Sequence, residues 1–593
     1  MEIRNRQDVP MADTWKLEDM FATNEAWEKQ FQETKAKIDA FSSLAGTLGQ
    51  SIESLKAALD AETTLNLAVE QLYVYAMMRR DEDNARSEYQ GLADRAMGLA
   101  VSMSAASSFV VPEIMDIPMD TFEQWRKDEA LAVYAHTLDD LARNRPHVLS
   151  RVEERLLAMS GEVAAAPQTI YKMLDYADLS FPTIETKSGS VEITHGNFIH
   201  LMENDDRDTR KRAFEAFYQT YQTFENTYAA ALSSSIKNDV FQSTVRHFPN
   251  AMEASLFEDH VPISVYDYLI EAIHGNLPLL HRYMDLRKKA LHLDELHMYD
   301  LYAPLSKAEF AISFDEAKAM VLAAVEPMGE EYGRIMQSAF ENRWIDVYEN
   351  RGKSSGAYCW GCYGTHPYVL MNYQNNIDSV FTLAHEMGHA MHSYFSDKHQ
   401  PFINAQYKIL IAEVASTVNE SLLIDFLLKR ETNREKKLRL INYYLEQFRG
   451  TVYRQTMFAE FEKWTHDASQ NGEPLTAEAL KAMYLELNRK YYGPAMHLDE
   501  GIAVEWARIS HFYNAFYVYK YATGFSSAVA ISKSILQEGD VAVDRYRTFL
   551  SSGGSDYPLE ILKRAGVDLN SLEPVSRALK VFESTLDELE NLL

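Results

Sequence analysis

Cysteine is nearly absent from the sequence, which contains only Cys359 and Cys362 in 593 residues. Two neighbouring thiols cannot cross-link a chain of this length, so a disulfide framework is excluded as the source of its stability. Packing must supply that stability instead, and the scarcity of cysteine favours a reducing compartment.

Positive charge is also in deficit. Lys and Arg together number 58 against 87 for Asp and Glu, so the formal net charge is −29 at pH 7. Such a chain repels a phosphate backbone, and no compact run of Lys and Arg compensates for the repulsion. We therefore expect neither nucleic acid nor an anionic membrane as a partner.

Signals for export or membrane insertion are missing as well. Residues 1–8 lack the basic and then apolar pattern of a signal peptide. No stretch approaches the run of about 18 uncharged apolar residues that is typical of a membrane-spanning helix. We therefore expect a soluble protein of the cytoplasm.

Glycine and proline are scarce, at 24 and 17 residues, and long stretches repeat apolar residues at helical spacing. Hydrophobic residues make up 46% of the chain, enough for a large core. The length corresponds to about four domain-sized units, or fewer large ones, and excludes a lone small binding module. The sequence predicts a mainly α protein.

One candidate boundary divides the chain. Trp15–Ala106 shows the pattern of long antiparallel helices with short connections. Phe181–His195 is typical of a small hairpin that turns at Ser188–Gly189. We predict an N-terminal helical region with this hairpin over 1–198 and a second region over 199–593.

A second departure from helical spacing lies in Trp344–Asn376, where four glycines separate β-type runs such as Tyr368–Tyr373. This segment directly precedes the helix that carries most of the candidate chemistry. We therefore expect a small β-sheet beside that helix.

The helix in question contains His385–His389, whose sequence is H-E-M-G-H. At i and i+4 the two imidazoles project from one helical face and can reach a single zinc ion, with Glu386 beside the open position of the metal. Apolar residues recur at helical spacing around the motif, and Asp378 or Ser379 can cap the helix. The alternative is a pair of hydrogen-bonded histidines in the core with Glu386 on the surface.

A third ligand should come from another helix. His392 lies near the same face, but three histidines at such short steps cannot easily surround a metal tetrahedrally, so we assign it a supporting position. The metzincin extension requires Gly at position 392 and His at 395, where this chain has His392 and Phe395.

The candidate is the apolar helix predicted over Gln406–Arg430, in which Glu413 and Glu420 are rare acidic interruptions. Glu413 lies 24 residues after His389, which leaves room for a turn and a returning helix. Because the two carboxylates are seven residues apart, both can face the same way. We predict Glu413 as the ligand and Glu420 as the group that orients a histidine; the alternative for either is a capped or paired charge.

Several other segments follow a family pattern together with the zinc motif: Phe381–His392, Ala412–Thr417, Gly356–Tyr358 with His366–Tyr368, and Phe549–Tyr557. With them, the chain resembles the oligoendopeptidase F branch of the thimet-oligopeptidase-like zinc metallopeptidases. The resemblance covers about the whole chain and is firmest from residue 340 onward. It implies a nearly all-helical fold closed around a deep substrate channel, a metallopeptidase region over 199–593, and one zinc ion per chain.

The same resemblance implies cleavage of internal bonds in short peptides and supports Glu413 as the third ligand. It also implies that His511 and Tyr517 donate hydrogen bonds to the tetrahedral intermediate, where one such donor contributes roughly 3 kcal/mol. Three further tyrosines compete for the tyrosine role, and the alternative for each is an aromatic face packed in the core. They are Tyr513, Tyr519 and Tyr521.

Two short motifs have competing interpretations. Cys359-Trp-Gly-Cys362 fits C-x-x-C, which suggests redox chemistry or half of a zinc ribbon, but no second pair completes a ribbon. Ser552–Ser555 has the sequence S-G-G-S, and no P-loop pattern follows it. We interpret the thiols as an incidental pair and the glycines as a loop before a helix.

The sequence therefore predicts a zinc metalloendopeptidase that acts on short peptides. In this hypothesis His385, His389 and Glu413 hold Zn²⁺, and Glu386 takes a proton from the zinc-bound water and delivers it to the leaving amine. An extended substrate pairs with an exposed strand from 356–373. The alternatives are a helical zinc carboxypeptidase, for which we locate no cationic group to bind a free C-terminus, and a non-catalytic metal-binding scaffold. The sequence assigns no oligomeric state.

Overall fold

The computed structural model describes residues 3–593, and 71% of the chain is helical. The helices before residue 300 are α1 (Asn24–Phe41), α2 (Ile52–Glu82), α3 (Ser87–Ser107), α4 (Val110–Asp116), α5 (Met119–Trp125), α6 (Ala135–Asn144), α7 (Arg151–Ala164), α8 (Ala166–Met173), α9 (Phe198–Met202), α10 (Arg207–Thr223), α11 (Glu225–Val245), α12 (Ala251–Phe257), α13 (Ile263–Gly275) and α14 (Leu277–Ala290). The later helices are α15 (Phe314–Ala324), α16 (Glu330–Glu341), α17 (Ile377–His399), α18 (Phe402–Ala405), α19 (Ile409–Arg430), α20 (Arg434–Gln447), α21 (Arg454–Gln470), α22 (Ala477–Tyr492), α23 (Tyr519–Glu538), α24 (Asp540–Leu550), α25 (Pro558–Arg564) and α26 (Glu573–Leu592). The prediction of a mainly α protein is confirmed.

The strands are few and short: β1 (Thr183–Thr186), β2 (Gly189–Glu192), β3 (Leu296–His297), β4 (Ile345–Asp346), β5 (Tyr358–Trp360), β6 (Tyr368–Leu370) and β7 (Met496–His497). β1 and β2 form a hairpin, and β3 pairs with β7 in parallel. The third sheet has the order β4-β6-β5, with β4 parallel and β5 antiparallel to β6. Because α17 packs against β5 and β6, the predicted small sheet beside the zinc-motif helix is confirmed.

The chain divides into two compact units, each built from three separate segments. The first unit contains the described chain up to Pro146, Phe310–Phe426 and Ile531–Gly566. The second contains His147–Glu309, Leu427–Ala530 and Val567–Leu593. The division predicted at residue 198 stays a prediction, because packing alone does not test where a catalytic region begins.

The core of the first unit begins with the long helices α1, α2 and α3. Trp27 of α1 is fully buried and donates its indole N–H to the Leu72 carbonyl of α2 at 2.9 Å. Tyr368 and Leu370 of β6 pack in the same hydrophobic cluster. The three-stranded sheet is therefore supported by the core of the helices that precede it.

The hairpin of the second unit turns one residue earlier than predicted. The register pairs Thr186 with Gly189, so Lys187 and Ser188 are the turn residues. Gly189 has a φ of +120°, a conformation that side chains with a Cβ rarely adopt. The glycine therefore ends the turn and does not form its centre.

One run of the first unit, Ser87–Asp116, is long and apolar enough to cross a membrane by length and composition alone, with 22% of its apolar window buried. Tyr89, Leu92 and Leu99 on one face of α3 pack in the core described above. This finding is weak support for a membrane span, because core helices pass the same test.

The S-G-G-S segment forms a loop before α25, as predicted. The Gly554 amide donates to the Asn404 carbonyl at 2.8 Å. A Cβ on Gly553, whose φ is +51°, would lie 2.3 Å from the same carbonyl oxygen. The glycines thus allow a close approach of this loop to α18 in the first unit.

Candidate active site

Helix α17 begins one residue after Asn376, whose side chain accepts a hydrogen bond from the Ser379 amide at 2.8 Å. The predicted caps, Asp378 and Ser379, are wrong, because both lie inside the first turn. An asparagine at this position satisfies one of the free N–H groups that every helix start presents. The cap fixes the start of the helix two turns before His385.

His385, His389 and Glu413 lie close together in the first unit. One possible ligand atom from each lies within 4.8 Å of the others. Glu413 Oε2 is 3.3 Å from His385 Nε2 and 3.5 Å from His389 Nε2. The two imidazoles belong to successive turns of α17, and the carboxylate comes from the first turns of α19.

This donor set fits a zinc ion. Two imidazole nitrogens and one carboxylate oxygen are typical of catalytic zinc sites, which leave a fourth position open. Ligand atoms arranged tetrahedrally at 2.0–2.1 Å from zinc are about 3.3 Å apart. The distances from Glu413 to the two histidines are close to this value.

Glu420 lies behind His385. The His385 Nδ1–H donates to Glu420 Oε1 at 2.5 Å, which leaves Nε2 directed at Glu413. A carboxylate that accepts the outer N–H fixes the tautomer and the orientation of a ligating imidazole. The seven-residue spacing thus places Glu413 and Glu420 on the same side of α19, and each contacts a different nitrogen of one ring.

The two carboxylates make this part of the site favourable for positive charge. Burial opposes the charged form of His385, but hydrogen bonds to Glu413 and Glu420 outweigh it and raise the pKa of His385 to about 10. Hydrogen bonds from His385 and His389 hold the pKa of Glu413 well below its ordinary value.

Gly388 lets α17 approach α19 closely between the two histidines. A Cβ at this position would lie 2.5 Å from Ser416 Cα and 2.7 Å from the Ala415 carbonyl oxygen. Both atoms belong to the backbone of α19 and cannot rotate away as a side chain can. The position therefore admits only glycine without a shift of one helix.

Asn419 connects the same two helices. Its Nδ2 donates to the Ala384 carbonyl at 3.1 Å, and its Oδ1 accepts from the Tyr332 hydroxyl at 2.8 Å. The sequence reasoning missed both Asn419 and Gly388. A glycine inside a helix costs about 1 kcal/mol relative to alanine, and that unfavourable choice was the available signal for Gly388.

Glu386 is buried, with 7% of its surface exposed, and belongs to the face of α17 near the small sheet. Burial raises the pKa of its carboxyl, an effect that the neighbouring His385 and His389 oppose. The alternative of a surface Glu386 is therefore wrong. Its neighbour across the helix face is Cys359 of β5, with which it interacts electrostatically.

His392 takes a different position from the one predicted. Its ring is fully buried, stacks on Tyr407 at 3.7 Å between centroids, and packs near Phe549. Neither ring nitrogen has a hydrogen-bond partner within residues 3–593, so His392 supports none of the predicted ligands by a hydrogen bond. Burial lowers the pKa of His392 to about 3, which keeps the ring neutral.

The two cysteines are free thiols at the end of β5, not at the start of a helix. Burial raises the pKa of both, that of Cys362 to about 12. A thiol is reactive as its thiolate, so both environments disfavour nucleophilic or redox chemistry. These environments favour the incidental-pair interpretation.

A cavity of about 360 Å³ adjoins α17 within the first unit. Its wall includes Ser393, one helical turn after His389, and Tyr407, whose hydroxyl lies 2.9 Å from the Ser393 hydroxyl. Burial and repulsion from Glu70 raise the pKa of Asp397 to about 7. The other residues that line the cavity include Glu70, Tyr73, Cys359, Trp360 and Asp397.

His511 and Tyr517 lie in the second unit and are neighbours there. Their rings are nearly parallel, with centroids 5.8 Å apart, and both are partly exposed. Tyr521 joins them through a 3.1 Å hydrogen bond between its hydroxyl and His511 Nε2. Burial lowers the pKa of His511, with a smaller contribution from Arg454.

The other two tyrosines have packing roles. Tyr519 is fully buried beside Tyr266, and Tyr513 stacks on Tyr171 with centroids 4.5 Å apart. Tyr517 and Tyr521 are therefore the members of the predicted set whose rings lie near that of His511.

Comparison with known proteins links this site to one family. Residues 200–581 match the model of peptidase family M3, and residues 113–181 match that of oligopeptidase F. The chain is 48% identical to oligopeptidase PepF of Bacillus subtilis over 100% of this chain and 89% of that protein. It is 41% identical to group B oligopeptidase PepB of Streptococcus agalactiae over 99% of this chain and 98% of that protein.

Solved structures agree with the sequence comparison. The crystal structure of oligoendopeptidase-F from Enterococcus faecium is 39% identical and has a TM-score of 0.73, covering 96% of this chain and 99% of its own. A crystal structure from Chlamydophila abortus is 34% identical with a TM-score of 0.94 and covers 100% of both chains.

Replacing Gly388 with alanine tests the close approach of the two helices. We expect Gly388→Ala to lower stability by about 1–3 kcal/mol or more, because the added methyl group forces the backbones apart. We also expect it to reduce metal content, because α19 carries Glu413. Gly333→Ala in α16 is the control, since among the described residues no atom lies within 4 Å of its added Cβ apart from its chain neighbours and the backbone of its own helix. If Gly388→Ala has the melting temperature and metal content of the wild type, the close approach of α17 and α19 does not depend on this glycine.

Separate alanine variants distinguish the two carboxylates of α19. Glu413→Ala removes a ligand and should abolish stoichiometric metal, whereas Glu420→Ala should retain it with roughly 10- to 100-fold weaker affinity. Metal content after dialysis at buffered free zinc measures both, with the exposed Glu473→Ala as control. If Glu420→Ala loses the metal and Glu413→Ala keeps it, the two roles are exchanged.

Proposed function

The chain belongs to peptidase family M3, in its oligoendopeptidase F branch, and we propose that it is a zinc-dependent endopeptidase that hydrolyses internal bonds of short oligopeptides. The family supports peptidase activity on oligopeptides. The observation that carries the finer proposal is the convergence of His385, His389 and Glu413 next to the buried Glu386.

We assign His385, His389 and Glu413 as the residues that hold the metal. A zinc ion bound there would lower the pKa of a water molecule toward neutrality and polarise the substrate carbonyl. Glu420 holds the His385 ring in the orientation that directs Nε2 toward the ion.

Glu386 is the proposed general base. It follows His385 directly on α17, so its carboxylate is adjacent to the metal ligands without being one of them. It accepts a proton from the attacking water and returns it to the leaving amine. Its burial excludes bulk water from competing for that proton.

His511 and Tyr517 are the proposed donors to the carbonyl oxygen on which negative charge develops. The sequence resemblance supports this assignment, as does the partly exposed pairing of the two rings in the second unit. The hydrogen bond from Tyr521 to His511, or the reverse, sets the orientation of the imidazole.

The substrate would bind in extended form along β5. Among the described residues β5 pairs with one strand, β6, so its other edge carries no strand, and we propose that a peptide backbone pairs there. Backbone pairing gives affinity with little demand on sequence. The cavity beside Cys359, Trp360 and Ser393 would then receive a substrate side chain close to the scissile bond.

Short peptides are therefore the proposed partners, and nucleic acid and membranes are not. The net charge of −29 supports both exclusions. The scarcity of cysteine supports a cytoplasmic location.

Internally quenched peptides with blocked ends test the proposed function. We expect cleavage of internal bonds by the wild-type protein and no cleavage of a stably folded protein, which would have to unfold to extend along a strand. A carboxypeptidase would fail on blocked ends, and a scaffold would cut no peptide.

Glu386→Gln tests the proposed general base. It should retain the metal and lose about 10²- to 10⁴-fold in turnover, with the exposed Glu583→Gln as control. A near-normal rate in Glu386→Gln would remove Glu386 as the base.

Tyr517→Phe tests the proposed oxyanion donor. Loss of a donor that acts in the transition state should lower kcat by about 10²-fold or more and leave KM nearly unchanged. Tyr513→Phe is the matched control, because its ring stacks on Tyr171 in the same segment. If kcat is unchanged in Tyr517→Phe and falls in Tyr521→Phe, the role belongs to Tyr521.

A further inference from the structure

A second pair of histidines lies in the second unit, on the two-stranded sheet formed by β3 and β7. The parallel register places His297 directly beside His497, although they are 200 residues apart in the chain. Their ring centroids are 4.5 Å apart with an interplanar angle of 44°. The two rings thus present nitrogen atoms to a common region.

Two carboxylates contact these imidazoles. Asp499 Oδ1 lies 2.9 Å from His297 Nδ1. Glu295 contacts both rings, with Oε2 3.2 Å from His297 Nε2 and Oε1 3.3 Å from His497 Nδ1. One possible ligand atom each from His297, His497 and Asp499 lies within 4.8 Å of the others.

The backbone around the cluster is held in place. The second oxygen of Asp499 accepts the Met298 amide at 2.9 Å, which leaves Oδ1 for another partner. The His297 amide donates to the Asp300 carboxylate at 3.1 Å. Asp300 is fully buried and paired with Arg207 and Arg210 at 2.8 and 2.7 Å. The Asp499 carboxylate and the backbone of His297 are thus held in position by contacts outside the cluster.

The cluster has the composition of a transition-metal site. Imidazole nitrogens favour zinc, cobalt or nickel over magnesium and calcium, which prefer oxygen ligands. A divalent ion would balance the two carboxylate charges with both imidazoles neutral. Glu295, whose two oxygens face one nitrogen of each ring, is placed to accept both outer N–H groups, as carboxylates do around bound metals.

We propose that His297, His497 and Asp499 form a second binding site for a divalent ion of the zinc class, with Glu295 orienting both imidazoles. His297 ligates through Nδ1, His497 through Nε2, and Asp499 through Oδ1. Coordination requires the 2.9 Å contact between His297 and Asp499 to lengthen to about 3.3 Å, a small adjustment.

Such an ion would reinforce two segments that are already joined by two short strands and by the contacts of Asp499 with His297 and Met298. β7 leads directly into the helical turn Glu500–Arg508 and the following turn Ser510–Tyr513, which carries His511. Fixing β7 against β3 therefore anchors the start of this segment. The expected role is structural, and we assign no step of peptide hydrolysis to it.

Metal counting in the full-length protein tests the site. Chelator-treated protein is equilibrated with Co²⁺ or Zn²⁺, and bound metal is measured by mass spectrometry and by the visible absorption of cobalt. We expect two ions per chain in the wild type and one in His497→Ala, whose side chain is half exposed and tolerates truncation. The exposed His200→Ala should bind as many ions as the wild type.

Variants made in the His389→Ala protein distinguish the two metal sites without any measurement of peptidase activity. His389→Ala should still bind one ion and melt at a higher temperature when Co²⁺ is added, whereas His389→Ala with His497→Ala should do neither. Glu295→Gln should keep the stoichiometry with roughly 10- to 100-fold weaker affinity. Magnesium should not substitute.

Two results would overturn the proposal. One is a single ion per chain in the wild type that is lost in His389→Ala. The other is equal stoichiometry in His497→Ala and His200→Ala. Circular dichroism of each metal-free variant establishes that it is folded before its metal is counted. Failure of the peptidase assay would leave both measurements unaffected.

Discussion

The candidate active site depends on the contact between the backbones of α17 and α19 at Gly388. Because no Cβ intervenes, the backbone of α19 at Ala415 and Ser416 can lie against the turn between the two histidines. That contact brings Glu413 to both imidazoles and Glu420 to the far side of one of them. A side chain at this position would separate the carboxylates from the histidines, so one missing methyl group determines whether the ligands meet. Asn419 adds a directional hydrogen bond to the same contact.

The two histidine clusters each place two imidazoles beside two carboxylates, but they take these side chains from different kinds of element. In the first, both imidazoles come from successive turns of one helix, and the carboxylates come from another. In the second, each imidazole comes from its own strand, and the carboxylates lie within two residues of them in sequence. In both, a carboxylate faces the outer nitrogen of a ring and so fixes its tautomer. The first cluster also has a buried carboxyl group beside it, that of Glu386, and the second has no such group among its described contacts.

The sequence predicted the site best where the residues that form it are close together in the chain. The i, i+4 spacing of His385 and His389 and the seven-residue spacing of Glu413 and Glu420 are local, and the structure places all four side chains together. The hairpin was placed correctly but its turn was one residue off, because Gly189 is compatible with either position. His392 was misjudged because its stacking on Tyr407 and Phe549 depends on distant segments. The cluster of His297 and His497 left no local pattern, since only strand pairing brings the two together.

The interleaving of the two units has a consequence for how the chain is made. Each unit takes segments from early, middle and late parts of the sequence, and the first is complete only when residue 566 has been added. A growing chain on the ribosome therefore holds long helices with apolar faces, α1 to α3 among them, before all their final neighbours exist. Neither unit can finish folding as an independent N-terminal domain during synthesis. Premature release of the chain would leave both units incomplete at once, so nascent chains of this protein should depend on chaperones until nearly the last helix has emerged.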